Sequence, residues 1–279
     1  MIYKYGATGL EVLSLQKNLK RLGLYNGELN SYFNGSTEKA VMAFQRQVGL
    51  VADGKVGDKT RLALAGQDTN KYLQDRDYQQ AAQRLNVSEL AIRVFGAVEG
   101  LGRGFLDDGR PKILFERHRM YFYLKQKYGE EYAKNKMAKL PNIVNVVTGG
   151  YVGNSGEYAR LEQAKQIDED CALMACSWGE FQIMGENYKT LGYASIQEFV
   201  KLQFENESYQ LDAFLRFVET KTGKVGNKAI SLLEALQKED WEAVFTLYNG
   251  SAYKKLGYQA KFQKQWDHLE PLYKKDKLA

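Results

Sequence analysis

The first part of the chain alternates between apolar stripes at helical spacing and turns that contain glycine. The stripes consist of Val12, Leu15, Leu19 and Leu22 in a first helix and of Ala40, Val41, Phe44 and Val48 in a second. Gly23 and Gly49 follow these stripes, as glycine commonly does where a helix ends. Residues 51–64 then repeat the order of a glycine-rich turn, a threonine and an apolar helix. The pattern predicts a small three-helix unit over residues 1–65.

Two turn regions of this unit form an internal near-repeat, NGELNSYFNGSTEKAV beside ADGKVGDKTRLAL. A core of this size can be stable when its helices are well formed, but it leaves little room for a catalytic pocket. We therefore expect the chemistry of the protein to lie in the rest of the chain.

The remainder of the chain predicts a polar connection and then a larger, mostly helical domain. Residues 66–80 are polar and lose the apolar periodicity, so we place a linker there and a second domain over residues 81–279. An apolar stripe follows at Val87, Leu90, Ala91, Val94, Phe95 and Val98. It ends in EGLGRGFLDDGRPKILFERH, where glycines and a proline exclude helix and KILF favours a strand. Further helices are predicted over residues 115–138, 157–176, 195–220, 228–237 and 240–248.

Composition and charge indicate a globular protein but do not identify its function. The chain has 279 residues, of which 44% are hydrophobic and 26% charged, as in globular proteins. The formal charge of +5 is a mild bias toward anionic partners, and no basic run predicts a nucleic-acid arm. We find no signal peptide and no membrane span, so we expect a protein that is made in a cytoplasm and is not inserted into a membrane. We also expect a monomer, and no nucleic acid as a partner.

The two cysteines and two histidines are too few and too scattered to predict a zinc site, and we expect no metal and no cofactor. Cys171 and Cys176 lie in the apolar stretch CALMAC. Buried free thiols are the favoured interpretation for them, with a disulfide as the alternative.

Glu99 is the first candidate for catalysis. It follows Phe95 by four residues and lies at the edge of an apolar face, in the last turn of its helix. Partial desolvation and the negative end of the helix dipole would both raise the pKa of its carboxyl, as a general acid requires. A glutamate that only forms hydrogen bonds in a loop is the alternative.

Glu116 is the second candidate, in ILFERH after the glycine-rich turn. A hairpin that folds back would bring it opposite Glu99, and glycoside hydrolysis typically uses two carboxyl groups across a cleft. Glu116 would then orient water as a base or stabilise the transition state. The alternative is a structural ion pair with Arg117 or Arg119.

The stretch CSWGEFQIMG supplies candidate substrate contacts in Ser177, Trp178 and Gln182. The Gln182 amide offers a donor and an acceptor for a sugar acetamido group. Trp178 is able to stack on a pyranose ring, but packing in the core is the favoured interpretation.

The stretch LYNGSAY ends another helix, where Tyr248 and Asn249 are candidates for the wall of a sugar cleft. A C-cap with a packed aromatic ring is the alternative. His118 has no serine or cysteine nucleophile nearby in a recognisable motif, so a structural or cleft-wall role is favoured over a general base.

The first unit resembles the peptidoglycan-binding domain found on many wall hydrolases. The resemblance depends on ordered positions in residues 1 to about 65, namely Gly6, Gly9, Val12, Leu15, Gln16, Leu19, Phe44, Gln45, Gly49, Leu50, Asp53, Gly54, Val56, Gly57 and Thr60. These positions are mostly structural, so they identify the fold better than they identify contact residues.

The second domain resembles the N-acetylmuramidase family of phage endolysins, within the lysozyme-like superfamily. VEGLGRGFL with ILFERH, SWGEFQIMG and YNGSAY carry this resemblance in order over roughly residues 85–270. It implies a mainly α-helical lysozyme-like α+β domain with one small β-hairpin region. It also implies that Glu99 is the catalytic acid and Glu116 its partner.

The function implied by the resemblance is hydrolysis of the β-1,4 bond between N-acetylmuramic acid and N-acetylglucosamine in peptidoglycan. The protein would wait in the host cytoplasm until it is released to the wall, and lysis of the host cell would follow. A lytic transglycosylase on the same fold and a non-catalytic wall-binding or phage structural protein are the alternatives.

Overall fold

The computed structural model describes residues 2–99, 103–254 and 257–274, with the backbone alone for residues 99, 251, 252 and 272–274. The chain divides into two compact units, Met1–Ala81 and Ala82–Ala279. Among the described residues, no helix is long and apolar enough to cross a membrane.

The first unit is a small helical domain, as the apolar stripes predict. Its helices are α1 (Leu10–Arg21), α2 (Gly35–Gln47) and α3 (Asp58–Leu64), and α4 (Asp75–Leu85) spans the boundary between the units. The buried core consists of Val12, Leu15, Leu19, Tyr25, Phe33, Ala40, Val41, Phe44 and Val56. Both predicted stripes therefore face one shared core, except at Leu22, which follows the end of α1 and is exposed.

A buried glutamine organises the first turn region of this unit. The Gln16 side chain is inaccessible to solvent, and its Nε2 donates to Asn30 Oδ1, to the Tyr32 carbonyl and to Thr37 Oγ1. Its Oε1 accepts a hydrogen bond from the Ser31 backbone N–H at 3.2 Å. Ser31 has φ 59°, a left-handed conformation that is uncommon outside glycine.

A second buried glutamine repeats this arrangement in the next turn region. Gln45 Nε2 donates to Asp53 Oδ1, to the Lys55 carbonyl and to Thr60 Oγ1, and its Oε1 accepts from the Gly54 N–H at 2.9 Å. Gly54 takes the left-handed position with φ 70°. The near-repeat in the sequence is therefore a structural repeat built around two equivalent glutamines.

The second unit is mostly helical, which confirms the predicted fold class. After α4, its helices are α5 (Glu89–Glu99), α6 (Arg117–Tyr128), α7 (Glu130–Lys139), α8 (Gly156–Lys165), α9 (Glu169–Met174), α10 (Ile196–Glu205), α11 (Glu207–Thr220), α12 (Leu232–Gln237), α13 (Trp241–Asn249) and α14 (Tyr258–Lys274).

Two small antiparallel sheets interrupt these helices in the described residues, where the sequence predicts one hairpin region. The first sheet consists of β1 (Ile113–Phe115), β2 (Cys176–Trp178) and β3 (Ile183–Met184). The second is a hairpin of β4 (Thr222–Val225) and β5 (Lys228–Ser231). In the first sheet, Phe115 pairs with Cys176 and Ile113 with Trp178, so the strand before Glu116 lies beside SWGEFQIMG.

Four of the predicted helices are shorter in the structure. The predicted helix 228–237 is helical only as α12, because Lys228–Ser231 forms β5. Gly129, with φ 91°, separates α6 from α7, and Asn206 separates α10 from α11 by capping the second of them. The prediction of one helix over 157–176 is wrong because its end, Cys176, begins β2. Cys171 and Cys176 are both buried free thiols, as favoured.

Candidate active site

Glu116 lies where β1 ends and α6 begins. Its backbone N–H donates to the Ala175 carbonyl at 2.9 Å, and the residue is the N-cap of α6. The N-terminal end of a helix favours negative charge, which suits a carboxylate at this position. Strand pairing and the helix start together fix the backbone from which the side chain projects.

The Glu116 carboxylate faces a tyrosine and a histidine. The Tyr151 hydroxyl lies 2.8 Å from Oε1 and 2.9 Å from Oε2, so it donates to the carboxylate from between its two oxygens. His118 Nδ1 lies 3.1 Å from Oε2, an ion-pair distance once the imidazole is protonated, although its geometry is not that of a hydrogen bond. Burial and the contact with Glu116 raise the pKa of Tyr151 to about 12.

The predicted alternative for Glu116, an ion pair with Arg117 or Arg119, is wrong. Arg117 donates to the backbone carbonyls of Val147 and Thr148, at 2.8 and 2.9 Å. Arg119 pairs with Glu186. Both arginines therefore bind other groups, and the Glu116 carboxylate faces Tyr151 and His118.

A buried ion pair connects Glu116 to the segment that carries Tyr151. Glu157 is inaccessible to solvent, and its Oε1 accepts from the backbone N–H groups of Val152 and Gly153 at 2.6 and 2.8 Å. Its Oε2 accepts from the Phe115 N–H at 3.2 Å and from Arg160 Nη1 at 2.7 Å. One carboxylate thus ties together the residue before Glu116 and the residue after Tyr151.

Arg160 and Arg117 complete the support of this segment. Arg160 donates to the carbonyls of Phe115 and Asn142, at 2.9 and 2.8 Å. Gly150 has φ 77°, and a Cβ there would lie 3.0 Å from Arg117 Nη1. Arg117 and Arg160 therefore hold the loop between α7 and α8 through hydrogen bonds to its backbone carbonyls.

The SWGEFQIMG turn is built around Ser177, Gly179 and Gln182. Ser177 Oγ donates to Gln182 Oε1 at 2.9 Å, and Gln182 Nε2 donates to the Gly179 carbonyl at 2.8 Å. Gln182 has φ 50°, a strained conformation for a non-glycine residue, and its side-chain bonds compensate for it. The structure thus gives Ser177 and Gln182 a bracing role, and their contacts with substrate remain predictions.

Buried polar side chains of α11 support this turn through Gln210 and the earlier glycine-rich segment through Glu207. Gln210 Oε1 accepts from the Glu180 N–H at 2.8 Å, and Glu207 Oε1 accepts from the Gly104 N–H at 2.9 Å. Gly179 has φ 73°, and a Cβ there would lie 2.6 Å from Gln210 Cδ. Glycine is required at this position for both reasons.

Trp178 is a core residue, and the prediction that it contacts substrate is wrong. It is 1% exposed, and its Nε1 donates to the Leu173 carbonyl at 3.2 Å. As a strand residue in the middle of the sheet it faces the helices behind, with Phe204 in ring contact. The favoured alternative of core packing is confirmed.

Tyr248 links the end of α13 to the turn after β2. Its hydroxyl donates to the Phe181 carbonyl at 2.9 Å, and its ring makes edge contacts with Phe95 and Phe214. Tyr248 is therefore a packed aromatic residue, as the alternative interpretation states. Contact of its half-buried ring with a sugar stays a prediction. Asn249 is the half-buried last residue of α13, and its predicted role is untested.

Glu99 is the last residue of α5, as predicted from the glycines that follow it. Its side chain lies outside the described residues, so its placement relative to Glu116 stays a prediction. Phe95, one helical turn earlier, packs in the aromatic cluster with Tyr248 and Phe214.

The sequence reasoning did not single out Tyr151, Glu157 or Arg160. Tyr151 stands between GG and VG in a loop that shows no apolar periodicity. Glu157 and Arg160 are spaced three apart on a helix, a pattern usually found on solvated surfaces. Within the described part of the chain, no group of three or more acidic, histidine or cysteine side chains is placed to hold a metal ion.

Comparison with known proteins places this site in a family. The N-acetylmuramidase family model matches residues 88–270, which include the candidate residues of the second unit. The chain belongs to the N-acetylmuramidase family. A peptidoglycan binding domain model matches residues 8–64 of this muramidase-family chain.

A solved structure and several curated proteins resemble the muramidase chain. The crystal structure of Burkholderia AP3 phage endolysin matches with TM-score 0.86 and 42% identity, over 97% of this chain and 100% of that one. The N-acetylmuramoyl-L-alanine amidase CwlM of Mycobacterium tuberculosis is 38% identical over 66 residues, 23% of this chain. The spore cortex-lytic enzyme of Bacillus subtilis is 42% identical over 64 residues, also 23% of this chain. The chain spans 16% and 21% of the lengths of these two proteins.

Proposed function

We propose that this protein is a phage endolysin that hydrolyses the β-1,4 bond between N-acetylmuramic acid and N-acetylglucosamine in bacterial peptidoglycan. The family match and the resemblance to the Burkholderia phage endolysin support this proposal. The observation that carries the mechanism is the Glu116 carboxylate, which faces Tyr151 and His118 while the neighbouring arginines have other partners.

In the proposed mechanism, Glu99 protonates the glycosidic oxygen as the bond to the leaving sugar breaks. Positive charge then develops on the ring carbon, as in an oxocarbenium ion. Glu116, as a carboxylate on the other side of the bond, stabilises this charge and accepts a proton from the attacking water. No step of this reaction requires a metal or a cofactor.

The first unit would bind the wall and raise the local concentration of the catalytic unit on an insoluble polymer. Peptidoglycan glycan strands are therefore the proposed partner of both units, and we propose a monomer. Release from the host cytoplasm to the wall would precede the reaction.

Product analysis combined with two variants tests the proposal. Mass spectrometry of digested peptidoglycan is expected to show reducing muramic acid ends, whereas anhydro-sugar ends would identify a lytic transglycosylase. Glu99→Gln and Glu116→Gln are each expected to lower the rate of muropeptide release by about 100-fold or more. Both variants should still sediment with purified peptidoglycan. Wild-type rates in Glu99→Gln would contradict the assignment of Glu99 as the acid. If the wild-type protein binds peptidoglycan but releases no products, it is a non-catalytic wall-binding protein.

A further inference from the structure

Tyr151 has a geometric relation to Glu116 that no other described hydroxyl has. Its hydroxyl is nearly equidistant from both carboxylate oxygens, at 2.8 and 2.9 Å. A hydroxyl donor stabilises a carboxylate when it is ionised and fixes the orientation of its plane. Tyr151 is 46% exposed, so its ring is not part of the buried core.

The loop that carries Tyr151 is fixed independently of the tyrosine side chain. Arg117, next to Glu116, donates to two carbonyls of the loop, and Glu157 accepts from the N–H of Val152. Glu157 also accepts from the N–H of Phe115, which precedes Glu116. The backbones of Tyr151 and Glu116 are thus held in one frame, and the contact between the side chains follows from it.

We propose that Tyr151 is a positioning residue that holds the Glu116 carboxylate in one orientation, ready to accept a proton from water. This inference rests on the proposed role of Glu116 as the base. The other titratable or charged groups around Glu116 are His118 of α6, the buried Cys176 thiol of β2 and Arg160 behind Phe115. Tyr151 alone among them donates a hydrogen bond to both oxygens.

The test compares Tyr151→Phe with Tyr128→Phe over a range of concentrations of purified peptidoglycan. Tyr128 is the matched control because it is 47% exposed and its hydroxyl donates to another carboxylate, Asp168 Oδ2, at 2.7 Å. Tyr151→Phe is expected to lower the rate of muropeptide release about tenfold. The loss is expected in kcat, with the apparent KM for peptidoglycan changed less than about twofold, because the variant removes the donor that orients the base and removes no proposed contact with substrate.

Tyr128→Phe should keep the wild-type kcat and KM. A wild-type kcat for Tyr151→Phe, an equal loss of kcat in both variants, or a loss confined to KM would overturn the positioning role. Adding Tyr151→Phe to Glu116→Gln should change the residual rate less than twofold, because Tyr151 acts through Glu116. A further tenfold loss in the double variant would also overturn it. Full activity of Glu116→Gln alone would instead show that Glu116 is not the base. This outcome distinguishes failure of the proposed mechanism from failure of the role of Tyr151.

Discussion

Both units of the molecule hold their turns with buried polar side chains, but the second unit uses carboxylates in addition to amides. In the first unit, the neutral amides of Gln16 and Gln45 each hold a turn from inside. In the second unit, the amides of Gln182 and Gln210 brace one turn in this way, and the carboxylates of Glu157 and Glu207 hold further backbone groups. Both carboxylates are inaccessible to solvent. Each type of group binds backbone that no regular secondary structure satisfies.

The difference shows what each unit requires of its turns. An amide carries a donor and an acceptor, so it satisfies both N–H and C=O groups of a turn without burying charge. A carboxylate only accepts, so Glu157 collects N–H groups from two separate segments and needs Arg160 to balance its charge. In the first unit the two amides hold turns close to them in the sequence, whereas in the second unit the carboxylate of Glu157 joins distant segments around the candidate site.

Breaking the ion pair of the second unit should have the largest effect. Glu157→Ala leaves Arg160 buried without its partner and is expected to lower the free energy of unfolding by about 3–5 kcal/mol. Urea unfolding followed by tryptophan fluorescence measures this, since Trp178, Trp241 and Trp266 all lie in the second unit. Glu162→Ala, on the exposed face of the same helix, is the control and should cost less than about 0.5 kcal/mol. A loss as small for Glu157→Ala would show that the pair does not hold this region.

Removing the glutamines of the first unit should have a smaller, local effect. Gln16→Ala and Gln45→Ala each leave buried turn groups unsatisfied, at a cost of about 1–3 kcal/mol. Hydrogen exchange distinguishes them, because the Ser31 N–H binds Gln16 and the Gly54 N–H binds Gln45. We expect faster exchange at Ser31 in the first variant and at Gly54 in the second, and each serves as the control for the other. Equal acceleration at both amides in either variant would contradict two separate braces.

The smallest expected effect is the pH dependence of the free energy of unfolding that the buried Glu157 carboxylate causes. Burial alone would raise the pKa of Glu157, but hydrogen bonds from Gly153 and Val152 and the contact with Arg160 together lower it. Because its folded pKa is depressed, Glu157 contributes stability above its unfolded pKa and loses it as the pH falls through the folded value. Unfolding of the wild type between pH 7 and pH 3 should therefore show a loss that Glu157→Gln reduces. An unchanged pH dependence in Glu157→Gln would show that the carboxylate is not its source.

Much of the fold could be predicted from the sequence because it depends on local periodicity and glycine positions. The stripes of the first unit, the end of α5 at Glu99 and the hairpin before β1 all follow from such signals, and a bridge between Phe105 and Pro111 marks that hairpin. Predicted helices were too long where a single residue, such as Gly129 or Asn206, ends one helix and starts another.

The candidate site could be predicted only in part. Glu116 became a candidate because the glycine-rich turn before it predicts a hairpin, which is a local signal. Its contact with Tyr151 joins residues 35 positions apart, which no local signal predicts. Glu157 and Arg160 look like a surface pair in the sequence, and only the packing of β1 against α8 makes them internal. Trp178 was ambiguous because an aromatic residue serves a core and a sugar cleft equally well.

The loop that carries Tyr151 has a consequence for how such proteins diversify. Arg117, Arg160 and Glu157 hold it through main-chain atoms, and its side chains Val146, Val147 and Val152 point into solvent. Those three side chains can therefore be exchanged during evolution or engineering while the loop keeps its path. Wall polymers differ among bacteria, and a fixed frame with replaceable side chains allows adaptation to them without rebuilding the enzyme.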